Sequence, residues 1–259
     1  MKSIEDIKQF EKKDNIINGI MKSNGLYCLV AEPKAGKSFL ALQLAYSLAN
    51  NKQFLGFDVN PTPVLYISTE LTENQLSERL DITKYTFNPN SFFFLEKDEN
   101  HKLCIRDDLL LELRDFSEEC HGRFVIIDIM CGIDYGYELD INNYNDVLKN
   151  MFSKYRDLAN KYNLTFLLIH HLNKEGKTLG SIGIDGNMNG ILTLIDNKDK
   201  TYTLKIINRD FESITLDLIK NDNLVFEVID EDTKELDCNL NIFMKYVIKK
   251  KEITFTPAE

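Results

Sequence analysis

The segment AEPKAGKS, Ala31 to Ser38, constrains the fold more than any other feature, because of what flanks it. Upstream, LYCLVA from Leu26 is an unbroken apolar run of strand length. Downstream, SFLALQLAYSLAN from Ser38 is rich in the helix formers Ala and Leu. A strand that feeds a tight loop and then a helix gathers loop N–H groups and a positive helix end at one point, and both favour an anion. In the pattern G-x-x-x-x-G-K-[ST] the loop amides cradle phosphate, the lysine reaches the terminal phosphates and the hydroxyl binds Mg²⁺. Gly36, Lys37 and Ser38 fill the last three places, while Ala31 stands at the first, which fits as long as its φ is negative. The expected ligands are ATP and Mg²⁺, contacted by Ala31, Glu32, Pro33, Lys34, Ala35, Gly36, Lys37, Ser38 and Phe39.

The strand and helix pattern then repeats. PVLYIST from Pro63, SFFFL from Ser91, RFVIID from Arg123 and NLTFLLIHH from Asn163 read as strands. ENQLSERL from Glu73, DDLLLELRDFSEEC from Asp107 and NYNDVLKNMFSKYRDLANKYN from Asn143 read as helices between them. Such alternation predicts an α/β domain whose mainly parallel sheet is flanked by helices. After Gly190 the chain becomes short strands joined by DNKDK, RDFES and KNDN, which predicts antiparallel hairpins extending that sheet. Ile4, Ile7, Phe10, Ile16, Ile17 and Ile20 follow a broken helical period and predict lead-in helices over 1–22. The expected organisation is therefore one domain over 1–235 and a helix with a short tail over 236–259.

Several function classes are excluded early. The longest apolar runs are strand-sized, far short of the ~20 residues a membrane span needs. The opening MKSIEDIKQFEKKD is charged and lacks an apolar core with a cleavage site, so a cytoplasmic protein without membrane partners is expected. The five cysteines are scattered without metal-ligand spacing, which predicts free buried thiols. A net charge of −10 opposes a protein that coats nucleic acid, and leaves only a local basic surface for that task.

Four further positions carry chemistry. Asp128 ends an apolar strand downstream of the phosphate loop, where a second magnesium ligand belongs beside Ser38. Glu70 ends the strand after the cradle helix, where a carboxylate can orient or deprotonate an attacking water. His170 and His171 sit at another strand end, and alternation sends them to opposite faces; His171 is the expected hydrogen-bond donor to phosphate. Arg209, in a hairpin of the extension, is a guanidinium able to reach transition-state charge on a neighbouring subunit.

Taken together, AEPKAGKS, STEL (Ser68 to Leu71), VIID (Val125 to Asp128), IHHLNK (Ile169 to Lys174), LGS (Leu179 to Ser181) and INRD (Ile207 to Asp210) resemble the RecA-like AAA-family ATPases related to plasmid RepA-type hexameric replicative helicases. The resemblance runs from about Ile16 to Glu227. It implies that Lys37, Glu70, His171 and Arg209 are catalytic, with Arg209 acting in trans, and that the chain assembles as a homohexameric ring. Three residues depart from the family pattern: Ala31, Ile207 where a lysine is common, and Asn189 where an aspartate is common.

In such rings, loops after the Asp128 and His171 strands touch single-stranded DNA. The first, from Cys131, carries Asp134, Glu138 and Asp140 without a base, whereas the second offers Lys174 and Lys177 among glycines. Only the second suits DNA. The closing helix and ITFTPAE resemble the opening of a winged-helix module. The expected activity is Mg²⁺-dependent ATP hydrolysis by a DNA helicase or translocase of a plasmid, phage or mobile element. The alternative is a RecA-like ATP-gated regulator or loader in recombination, repair or defence. A small-molecule kinase ranks third, because its lid gathers arginines and those of this chain are dispersed.

Overall fold

The computed structural model describes residues 3–4, 13–97, 103–105, 108–135, 151–172 and 186–229. Over 15–22 it corrects the reading of lead-in helices; residues 5–12 lie outside the described ones. Residues 15–22 form a small antiparallel hairpin of β1 (Asn15–Ile17) and β2 (Met21–Lys22). The physical reason lies in the Asn18-Gly19 pair, a hairpin turn signal that outweighs the helical period of the isoleucines. Gly19 has φ 75, a left-handed conformation that glycine adopts without steric cost. The hairpin buries Ile17, Ile20 and Met21 and is tied to the main body by Asn18 N–H donating to the Asp58 carbonyl at 2.9 Å.

The main sheet has nine strands. Six run parallel: β3 (Leu26–Ala31), β4 (Val64–Ser68), β5 (Phe92–Glu96), β6 (Phe124–Asp128), β7 (Thr165–His171) and β8 (Gly190–Asp196), in the spatial order β8-β3-β7-β6-β4-β5. From β8 outward the sheet continues antiparallel through β9 (Thr201–Asn208), β10 (Ile214–Lys220) and β11 (Phe226–Val228), as the hairpin pattern predicted.

Helices cover both faces. On β3, Tyr27, Leu29 and Ala31 point to one face and Leu26, Cys28 and Val30 to the other, the two-residue period of a strand buried on both sides. The first set packs on Leu40, Ala41, Leu44, Ala45 and Leu48 of α1 (Lys37–Ala49). The second joins Leu109, Leu113 and Phe116 of α3 (Asp108–Glu118) and Tyr155, Leu158 and Ala159 of α4 (Ser153–Tyr162). Helix α2 (Glu73–Thr83) lies over Leu42 and Leu71 through Leu76. Burying each such leucine contributes about 1.5–3 kcal/mol, which holds the helices on the two faces of the sheet.

Of the helix expected from Asn143, residues 143–150 lie outside the described ones; Met151 and Phe152 are buried, and the α-helix runs from Ser153. Residues 236–259 also lie outside them, as does the winged-helix comparison. No helix among the described residues is long and apolar enough to cross a membrane.

Candidate functional site

Parallel pairing lines up the strand ends. Ala31 is in register with His171, and Ser68 with Asp128, so the ends of β3, β7, β4 and β6 share one edge of the sheet. Loops leaving that edge enclose a cleft of about 320 Å³ lined by Lys34, Gly36, Lys37, Ser38, Phe39, Glu70, Arg79, Asp128, Ile129, His171 and Lys220.

Ala31 is the buried last residue of β3 and keeps a negative φ, so the first loop position needs no glycine here. The loop instead turns at Lys34 (φ 65) and Gly36 (φ 102). Gly36 caps α1 without a side-chain hydrogen bond, and the first turn holds no acidic residue. The N–H groups of that turn are thus available to an anion. Lys37 folds back on its own loop: Nζ donates to the carbonyls of Ala31 at 3.2 Å and Glu32 at 3.0 Å, and lies 3.1 Å from His171 Nδ1. Burial holds the Lys37 pKa below its ordinary value, opposed by the charges of Asp128 and Glu70. Burial first, then the Lys37 charge, lowers the His171 pKa, which favours a neutral ring able to accept from the ammonium.

Asp128 is buried at the end of β6, and Tyr66 from β4 donates its phenol O–H to Asp128 Oδ2 at 2.6 Å. Burial, followed by the Asp128 charge, pushes the Tyr66 pKa well above its ordinary value, so the phenol stays protonated. Ser38 and Asp128 both line the cleft. A hydroxyl and a carboxylate side by side at a phosphate loop fit Mg²⁺, which takes oxygen ligands and keeps several from water and phosphate. Among the described residues no cluster of three or more His, Cys, Asp or Glu side chains offers a rival metal site.

Glu70 follows β4, and local hydrogen bonds set its backbone. Ser68 Oγ accepts from the N–H groups of Glu70 at 3.3 Å and Leu71 at 2.6 Å. Thr72 then opens α2 with a capping box, exchanging bonds with Gln75. The neighbouring Thr69 accepts from Ile129 N–H at 3.1 Å through Oγ1, while its own N–H donates to the Asp128 carbonyl at 2.7 Å. Gly132 sits so close that an added Cβ would stand 2.1 Å from Thr69 Oγ1. The backbones carrying Glu70 and Asp128 are in this way locked together, and the Glu70 side chain is exposed at the cleft.

Alternation separates the histidines as expected: His171 faces Lys37, whereas fully buried His170 faces Cys131, with Nδ1 3.4 Å from Sγ. Of the four described cysteines only Cys28 is buried; Cys104 and Cys120 are half-buried and Cys131 is exposed, which corrects the expectation that all are interior.

Arg209 does not join this cluster. Ala31 pairs with Leu194 at the cleft end of β8, whereas Asn208 pairs with Gly190 at the other end. Arg209 therefore leaves β9 at the edge opposite the cleft of its own chain, where its guanidinium donates to the Gly186 carbonyl. Asn189 has a structural task, its Oδ1 accepting from Leu26 N–H at 3.0 Å, and Ile207 is exposed on β9. Lys174, Lys177 and the segment 136–150 lie outside the described residues.

Three residues of the site escape the sequence: Arg79 and Lys220 on the cleft and Tyr66 buried behind Asp128. Tyr66 reads there as an ordinary strand tyrosine. Arg79 is one charge among several on α2, yet its guanidinium stands 5.0 Å from the Phe39 ring centroid. Lys220 reaches the cleft from β10, far away in sequence, and only the sheet order reveals it.

The sheet order, the phosphate loop and the paired carboxylate strands define a RecA-like P-loop ATPase domain. The chain belongs to the AAA_25 family, described as AAA domain, whose model matches residues 2–177. It is similar in fold to a KaiC-like protein from the hyperthermophilic archaeon Pyrococcus horikoshii, with a TM-score of 0.59 and 14% identity over 85% of this chain and 99% of that one. Comparison with curated protein sequences gave no significant match.

Proposed function

We propose that this chain hydrolyses ATP with Mg²⁺ and works as a homo-oligomeric ring, most closely in the manner of a RepA-type replicative helicase or translocase of a plasmid, phage or mobile element. The observation that carries this reading is the convergence of Lys37, Glu70, Asp128 and His171 on one cleft beside a phosphate loop. Lys37 leaves its loop carbonyls for the terminal phosphates, and His171 Nδ1, released from the ammonium, is freed to change its hydrogen-bond partner. Glu70 orients the attacking water and takes up its proton. Ser38 and Asp128 hold Mg²⁺, which offsets charge on the phosphoryl oxygens. Arg209, at the far edge of the sheet, serves the nucleotide of a neighbouring subunit, and that requires the ring.

The net charge of −10 and the acidic sequence that follows β6 favour a second reading, an ATP-gated regulator or loader in recombination, repair or defence that does not unwind DNA. ATP turnover measured with and without single-stranded DNA at two salt concentrations separates the two. The helicase reading predicts stimulation that weakens with salt and is reduced in Lys174→Ala/Lys177→Ala. Turnover that ignores DNA selects the second.

A further inference from the structure

The antiparallel extension is joined to the phosphate loop by a specific clamp. Gln43 of α1 is buried, and its amide makes two bonds to the main chain of Phe226: Nε2 donates to the carbonyl at 2.8 Å and Oε1 accepts from N–H at 2.9 Å. Both ends of a buried amide are thereby satisfied, so β11 has a fixed seat on the cradle helix. Phe226 is the register partner of Lys220, the last residue of β10. The clamp consequently carries Lys220 to the loop.

There the Lys220 ammonium lies 4.7 Å from the ring centroid of Tyr202, 4.8 Å from that of Phe226 and 6.0 Å from that of Phe39. It comes so near Gly36 that an added Cβ would stand 2.8 Å from Nζ. Aromatic faces attract a cation and hold it in place without neutralising it. Among the described residues Lys220 forms no ion pair with a carboxylate. With Lys34, Lys37 and Arg79 it makes four cations in the cleft lining against the two carboxylates Glu70 and Asp128, an excess of positive charge complementary to an anion carrying more than one charge.

We propose that Lys220 is a nucleotide-binding residue, supplied in cis by the antiparallel extension, that contacts the α- and β-phosphates of the bound nucleotide. This rests on reading the cleft as a nucleotide site. The assignment within the polyphosphate follows from position: loop amides around Gly36 cradle the inner phosphates, whereas Lys37 reaches the terminal ones. Lys220 stands over Gly36 and Phe39, so its partners are present in ADP as well as ATP. Its contribution is therefore to affinity for both nucleotides, unlike that of Glu70.

The test is equilibrium binding of ADP, ATP and adenosine, with Mg²⁺, to the full chain and to Lys220→Met and Lys220→Arg, alongside thermal unfolding without nucleotide. In Lys220→Met the affinities for ADP and ATP are expected to fall together by about tenfold, the loss of one charge-assisted contact. Adenosine affinity and nucleotide-free melting should stay near wild type, and Lys220→Arg should restore much of the binding. Gln43→Met keeps Lys220 but removes the clamp, and should weaken ADP in the same direction by a smaller factor. Wild-type ADP affinity in both Lys220→Met and Gln43→Met, or loss of ATP binding alone, overturns the proposal. If the wild-type chain binds neither ADP nor ATP, the nucleotide reading of the cleft fails instead, and this proposal with it.

Discussion

Removing one oxygen, in Tyr66→Phe, isolates the bond that orients the buried carboxylate of the site. The phenol donates to Asp128 Oδ2 at 2.6 Å, and both residues are buried. A hydrogen bond to a charged group contributes about 1.5–3 kcal/mol, and Tyr66→Phe strips the buried carboxylate of that donor. The ring itself stays, still packed near Phe92 and Phe94 with centroids 6.4 Å and 6.1 Å away, so no cavity adds to the loss. For a chain of this size each kcal/mol moves the melting temperature by roughly 2–4 °C, giving an expected fall of about 3–12 °C. Urea unfolding of wild type, Tyr66→Phe, Asp128→Ala and the double variant measures the pair directly. A coupling energy above about 1 kcal/mol is expected; effects that add within about 0.5 kcal/mol would refute the bond as the source.

Three further outcomes follow from the geometry. Gly132→Ala drives a methyl into Thr69 and should cost about 1–3 kcal/mol of stability, measurable by the same unfolding assay, with a near-neutral result counting against the lock between the two strand ends. His171 has a pKa below its ordinary 6.5, so the unfolded chain takes up that proton first. Its contribution to stability is complete above pH 6.5 and lost as pH falls through the folded value; His171→Gln should melt with a flatter pH dependence below pH 6.5, and an unchanged slope would reject this. Arg209→Ala should be inactive alone yet regain turnover when mixed with Lys37→Ala, since the two defects fall on different sides of a shared site; mixtures that stay inactive tell against action in trans.

Local features of the sequence were read with little loss. The strand, loop and helix around Gly36, Lys37 and Ser38 follow from flanking periodicity, and Asp128, Glu70 and His171 occupy the strand ends that parallel pairing brings together. What escaped has two physical origins. Asn18-Gly19 imposed a hairpin where isoleucine spacing suggested a helix, because a two-residue turn signal acts at shorter range than a helical period. Tyr66, Arg79 and Lys220 gain their roles only from neighbours distant in sequence: Lys220 depends on the sheet order and on Gln43 clasping Phe226. No local pattern encodes that contact.

The proposed role of Glu70, turning a phosphate cradle into a hydrolytic site, is tested by ATP binding and turnover measured side by side on Glu70→Gln. The expected result is ATP affinity within about threefold of wild type with turnover lowered at least about 100-fold, while Lys37→Ala loses turnover as well. Wild-type turnover in Glu70→Gln would contradict the claim and leave the cleft without its base.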